Sequence, residues 1–260
     1  MTDQHPYSSL RELPEDGHLH GENPDLASST PAYARRFDSR AGAWFLEVQT
    51  RILMEFMRPW TKARVLDVGG GHAQVSRPLV AAGHKVTLLA TSIEAVGMAF
   101  DLPLEVRLGA LCAPPTEDGE FDVAIALRIM PHVENWRMLL AGLCRSARDA
   151  VIIDFPIPGG SNTFTPFLFS AKKRIEGNTR SFNTMSRQEV IEAFRENGFA
   201  VDASVGQFVA PMVAHRVLDR PWISRPLESL CRFLRLDRFI GTPVLMRARR
   251  IKRTQPRATG

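Results

Sequence analysis

The stretch Arg64-Val-Leu-Asp-Val-Gly-Gly-Gly-His-Ala-Gln74 runs an apolar strand carrying Asp67 into a glycine turn and then a helical segment. No other part of the chain restricts the fold as much, because a strand–turn–helix unit builds sheets of parallel strands. Glycines at such a turn reach φ values that other residues resist, and their bare backbone lets a ligand lie close. The turn therefore predicts a nucleoside-cofactor cradle beside Gly69 and Gly71. Its alternative is a tight turn that binds nothing.

The rest of the sequence extends that unit. Apolar strand patterns at 64–68, 85–90, 104–108, 121–127, 150–155, 199–209 and 243–249 alternate with helical ones at 72–82, 92–100 and 135–146, and with a helix opened by Ser186. Ser186 and Glu189 have capping-box spacing, while Gly83 and Gly198 stand where helices stop. A helix over 31–57 carries Tyr33, Phe37, Trp44, Phe45, Val48, Ile52, Leu53 and Phe56 at three- and four-residue steps. Most of these pack; Tyr33 and Phe37 are candidates for a lid. The expected organisation is a mobile arm over 1–30, a cap helix over 31–58, one α/β domain over 60–250 with insertions at 156–183 and 211–241, and a basic tail over 251–260. With 260 residues and 44% hydrophobic content, a single domain with a full core is expected.

The spacing around the turn separates two cofactor classes. A dinucleotide fingerprint needs a third glycine where Gln74 stands. Asp67, Gly69 and Gly71 instead resemble motif I of the class I S-adenosylmethionine-dependent methyltransferases. Phe121-Asp-Val-Ala-Ile-Ala-Leu-Arg-Ile-Met-Pro-His-Val-Glu-Asn-Trp136 resembles that family's fourth-strand segment, and Arg195-Glu-Asn-Gly-Phe199 its entry to strand six. The resemblance spans about residues 60 to 250. It implies a Rossmann-like, seven-stranded, mostly parallel sheet with helices on both faces and an antiparallel last strand. It also implies S-adenosyl-L-methionine as cofactor, with Asp67 meeting the ammonium and the turn's N–H groups the carboxylate. His72 and Leu127 would shape the same pocket.

Two departures stand out. Where the family has a ribose-gripping acid at the end of strand two, this chain reads Leu88-Leu-Ala-Thr-Ser92, leaving Thr91, Ser92 or Glu94 to serve. After strand three, Gly109-Ala-Leu-Cys112 offers only the backbone of Ala110 and Leu111 to adenine. The alternative function is thus a catalytically degenerate binding or regulatory module.

Methyl transfer demands alignment and dryness more than covalent help. His132, after strand four at the carboxyl edge of the sheet, is a candidate base or else packs the following helix. Arg128 and Asp154, also at strand ends, are candidate acceptor-binding residues, or a rim residue and its salt-bridge partner. His215 is a remote candidate. The first insertion adds Phe164, Phe167, Phe169 and the basic cluster Lys172-Lys-Arg174, which suit an acceptor with an apolar body and an anionic group. The second reads as two short amphipathic helices with interspersed arginines. They would be lid helices on the body, or a surface for peripheral contact with an anionic membrane.

From Pro211 onward twelve Lys and Arg face three Asp and Glu, although the whole chain carries only +5. That basic end could meet nucleic acid, a membrane or an anionic substrate, or be a solvated face. A nucleic-acid substrate is disfavoured because Leu127-Arg-Ile-Met-Pro131 lacks the groups that hold a flipped base. No stretch predicts a membrane span or a secretory leader, and Cys112, Cys144 and Cys231 have neither metal nor disulfide spacing, so a cytoplasmic enzyme without metal is expected.

Overall fold

The computed structural model describes residues 24–28, 30–159 and 183–252. Phe164, Phe167, Phe169 and the cluster at 172–174 lie outside them, as do 1–23 and 253–260.

Seven strands form one sheet: β1 Arg64–Val68, β2 Lys85–Ala90, β3 Glu105–Leu108, β4 Phe121–Ala126, β5 Ala147–Phe155, β6 Phe199–Phe208 and β7 Thr242–Arg250. Their order is β3-β2-β1-β4-β5-β7-β6. The first five pair in parallel, and β7 runs antiparallel between β5 and β6. After β1 the chain builds outward to β2 and β3, then returns to lay β4 on the other side of β1. Such a reversal opens a crevice beyond the carboxyl ends of β1 and β4.

Side chains alternate between the sheet's two faces. Val65, Val123, Ile125 and Ile152 bury against α3 (Arg40–Met57) and α4 (Ser76–Ala81). Leu66, Val68, Ala124, Val151 and Ile153 bury against α5 (Trp136–Ser146) and α6 (Arg187–Glu196). With both faces covered, β1, β4 and β5 read as nearly continuous apolar runs. The Ser186–Glu189 capping box of α6 is formed.

Several elements differ in extent from the sequence reading. The helix expected over 31–57 breaks into α2 (Pro31–Ala34), a 3-10 turn Arg35–Phe37 and α3. Ser39 takes an extended conformation and accepts a hydrogen bond from the Gly42 amide, capping α3 afresh. α4 begins at Ser76 instead of 72, because Ala73 adopts a positive φ of 56° that no helix accommodates. The helix expected from Ser92 is a 3-10 helix, Glu94–Asp101.

The arm expected over 1–30 is structured at its end: α1 (Pro24–Ser28) is helical and Asp25 is fully buried. The second insertion holds three helices, α7 (Met212–Leu218), α8 (Pro221–Phe233) and α9 (Asp237–Ile240). Asp219, in a left-handed conformation between α7 and α8, accepts from the Ala41 amide at 2.7 Å and so fastens the insertion to the start of α3. Of the cysteines only Cys144 is buried, its thiol pushed up to about 12 by burial; Cys112 and Cys231 are half-buried.

Candidate functional site

The glycine turn lies where the crevice is expected. Gly69, at φ +73°, donates its N–H to the Leu89 carbonyl at 2.8 Å, tying the turn to the end of β2. Below the turn, Asp67 is 1% exposed. Its Oδ2 accepts from Ser76 Oγ at 2.6 Å, while Oδ1 has no hydrogen-bond partner among the described residues. Burial raises its pKa from 3.8 to about 6, against the Ser76 hydrogen bond and the Arg128 charge. A Cβ at Gly70 would overlap this carboxylate, so the turn passes over Asp67 only because no side chain intervenes.

Tyr33, Gly69, Gly70, Gly71, His72, Leu127, Arg128 and Ile129 enclose a small cavity of about 20 Å³. The Tyr33 and His72 rings lie parallel, with centroids 6.2 Å apart, and close one side. Of the two lid candidates, Tyr33 lines the cavity and Phe37 packs on it at 5.7 Å, with the Arg128 guanidinium 5.3 Å from the Phe37 ring.

Arg128 itself has φ +63°, a costly conformation for a non-glycine residue. Two contacts hold it. Its N–H donates to Asp154 Oδ1 at 2.5 Å, and its guanidinium donates to Gln49 Oε1 at 2.8 Å. Gln49 closes the triangle by donating to Asp154 Oδ2 at 2.8 Å. Asp154, also raised to about 6, owes the shift to burial, opposed by the Arg128 and amide hydrogen bonds. Thus Asp154 meets the Arg128 backbone, and Gln49 meets its guanidinium. The sequence reading passed over Gln49, although a polar residue four positions after Phe45 and three before Ile52 lies on the apolar stripe of α3.

The remaining candidates are spread around this centre. His132 ends a 3-10 turn, Met130–His132, directly after cavity residue Ile129, and is half-buried. Leu111 is buried and Ala110 half-buried beyond β3. Ser92 is half-buried and Glu94 exposed. Thr91 is engaged by a residue of the segment expected to be a mobile arm: Asp25 accepts from Thr91 N at 2.8 Å and Thr91 Oγ1 at 2.6 Å. His215 is far from a catalytic setting. It is buried against Trp44, Phe45 and Phe208, and its ring nitrogens bond Ser224 Oγ at 2.8 Å and Glu228 Oε1 at 2.9 Å. Glu228 also accepts the Val209 and Ala210 amides, so these residues clamp α7 and α8 to the end of β6.

A sheet that reverses direction over a glycine turn with a buried acid beneath it defines a Rossmann-like enzyme that binds a nucleoside cofactor. Residues 36–204 match the family described as a methyltransferase domain. The chain belongs to that family, and its methyl donor is S-adenosylmethionine. Solved structures agree in fold. Magnesium protoporphyrin IX methyltransferase of Synechocystis, with bound S-adenosylmethionine, superposes with TM-score 0.55 at 13% identity over 90% of this chain and 99% of its own. A methyltransferase of Thermotoga maritima, given as a possible histamine N-methyltransferase, reaches 0.57 at 14% identity over 84% and 94%. One from Mesorhizobium loti reaches 0.50 at 16% over 72% and 91%. No curated protein matches the sequence significantly.

The residues present fit the donor's methionine end. Asp67 Oδ1 can accept from an ammonium, and the three glycines lining the cavity present backbone without side chains to a carboxylate.

Proposed function

We propose that this methyltransferase modifies an oxygen or carbon of a lipid-like small molecule bearing an anionic group, and that it meets this acceptor at an anionic membrane surface. The observation that carries the reading is the inverted polarity of α8. The helix buries Ser224 and Glu228 and turns Trp222, Ile223, Leu227, Leu230 and Phe233 to solvent. Trp222 is 67% exposed, Phe233 83% and, on α9, Phe239 75%. A surface helix normally hides its apolar stripe, and large exposed apolar patches mark interaction sites. Exposed Arg220, Arg225, Arg235 and Arg238 stand among these side chains, which suits apolar insertion below a layer of anionic headgroups. β5 and β6 are parallel, so the insertion after Phe208 leaves the sheet at the same edge as the glycine turn. None of the described helices is long and apolar enough to cross a membrane, so the contact is peripheral.

In this reading Arg128, held by Gln49 and Asp154, pairs the acceptor's anionic group at the cavity wall. Tyr33 and Phe37 exclude water. His132 takes the proton of an acceptor hydroxyl, at the edge where Ile129 meets the cavity. Bound S-adenosylmethionine supplies an electrophilic methyl group. Phe167 and Lys172 belong to the proposed acceptor-binding set by sequence alone. Nucleic acid is not the acceptor, since 127–131 lacks groups for a flipped base.

The test is incubation of the purified protein with methyl-labelled S-adenosylmethionine and a solvent extract of the host's membranes. Label that follows the organic phase, and is lost with His132→Ala, supports the reading. Label transferred only to water-soluble acceptors or to RNA refutes it.

A further inference from the structure

We propose that Asp25, carried on α1, supplies the carboxylate that grips the ribose diol of S-adenosylmethionine, in place of the acid missing from the end of β2. The inference rests on the cofactor assignment and concerns a residue outside the matched span 36–204.

Four observations carry it. First, Asp25 sits where a ribose ligand is needed. Its carboxylate bonds both the N–H and the hydroxyl of Thr91, the residue directly after β2, at 2.8 and 2.6 Å. Its Cβ would lie 3.6 Å from a Cβ on Gly69, so it bridges the ends of β1 and β2. A nucleoside running from the turn after β1 toward the end of β3 must cross β2 at this point, given the order β3-β2-β1.

Second, the acid is fully buried. Thr91 meets the hydrogen-bonding demand that burial places on this carboxylate and so holds it at the end of β2. Third, the other acid near this strand end, Glu94, is exposed. Fourth, chemistry matches. The two hydroxyls of a vicinal diol donate side by side to the two oxygens of one carboxylate, and such charge-assisted bonds are about twice as strong as neutral ones. Thr91 fixes the plane of that carboxylate through both oxygens, so the diol joins or replaces those donors without reorienting the acid.

The cavity of about 20 Å³ is too small for a nucleoside. The wall formed by Tyr33 and His72 must therefore move to admit the cofactor. The opposite role for the same contact would be a plug, in which Asp25 occupies the ribose position and competes with the cofactor.

Calorimetric titration of the full chain with S-adenosylhomocysteine and with its 2′-deoxy analogue decides between them. Wild-type protein should bind the parent ligand about 10-fold or more tighter than the deoxy analogue. Asp25→Asn should weaken binding of the parent about 10- to 100-fold, but binding of the deoxy ligand several-fold less than that. Equal losses for both ligands would make Asp25 a packing residue and overturn the proposal. Tighter binding by Asp25→Asn would establish the plug and overturn it too. The wild-type comparison of the two ligands needs no variant, and equal affinities there would overturn the proposal even if Asp25→Asn misfolded. Should wild-type protein bind neither ligand, the cofactor assignment itself would fall.

Discussion

Replacing Asp67 with Asn should stabilise the ligand-free protein at pH 8 while abolishing cofactor binding. Burial holds the Asp67 pKa at about 6 against 3.8 for the free group. Between those values the folded chain binds a proton that the unfolded chain has released. Folding stability therefore falls as pH rises through that window, and stays lowered above it. Two pKa units at about 1.4 kcal/mol each put the cost near 3 kcal/mol at pH 8. Asn carries no charge to desolvate, and its amide oxygen can still accept from Ser76. The variant should gain up to about 3 kcal/mol, or roughly 5–10 °C in Tm for a chain of this size. At pH 4 the gain should vanish, because Asp67 is then protonated. Asp154 titrates near 6 in both proteins, so its contribution cancels from the difference. The ligand's ammonium favours the ionised acid, so wild-type affinity for S-adenosylhomocysteine should fall about tenfold per pH unit below 6. Thermal melts at pH 4 and 8, with calorimetric titrations at pH 5 and 7.5, check both halves. An Asn variant less stable than wild type at pH 8, or a difference independent of pH, would refute the idea that the site stores an unfavourable buried charge for its ligand.

Other perturbations probe the neighbouring parts. Gly70→Ala, whose methyl would overlap the Asp67 carboxylate, should weaken S-adenosylhomocysteine binding at least tenfold and cost about 1–3 kcal/mol of stability, read by titration and denaturant melts. Gln49→Leu removes a donor from buried Asp154 and the acceptor that holds the Arg128 guanidinium; a loss of about 1–3 kcal/mol is expected, and an unchanged melt would show that the triangle is idle. His215→Ala leaves Glu228 buried without its imidazole partner and should cost about 2–4 kcal/mol, with faster proteolysis confined to 211–241. The triple change Trp222→Ser, Phe233→Ser and Phe239→Ser alters only exposed side chains, so Tm should hold within about 2 °C while co-sedimentation with phosphatidylglycerol vesicles is lost. Equal sedimentation of wild type and variant would remove the membrane contact.

Local and periodic signals made the sheet readable. β1, β2 and the turn between β1 and α4 follow from apolar runs closed by glycine, and the seven strands appear where alternation and β-branched residues place them. What escaped depends on tertiary closure. No local pattern distinguishes Asp25 from its polar neighbours, because its partner Thr91 lies 66 residues on and is met only when α1 folds across the strand ends. Gln49 was legible in principle, as a polar interruption of an apolar stripe. The amphipathic pattern of α8 was also legible, but periodicity reveals that a helix has two faces and not which one the body takes. Here the body takes the polar one, because Glu228 caps the Val209 and Ala210 amides and binds His215.

Generic and particular features separate along the chain. The span 36–204 matched to the methyltransferase family contains the glycine turn, Asp67, Arg128, His132 and Asp154. Asp25 and helices α7 to α9 lie outside it. The matched core can place a methyl donor but lacks a ribose acid on β2, and its described residues carry no exposed apolar face comparable to α8 and α9. The flanking segments bring Asp25 and the exposed apolar face of α8 and α9 to the carboxyl edge of the sheet. If cofactor grip depends on α1, and acceptor access on α8 and α9, the two substrates are controlled from opposite ends of the chain. Asp25→Asn should then change cofactor affinity without changing vesicle binding, and the triple α8–α9 variant should do the reverse. A variant of either kind that lost both properties would show that the two flanks act as one unit.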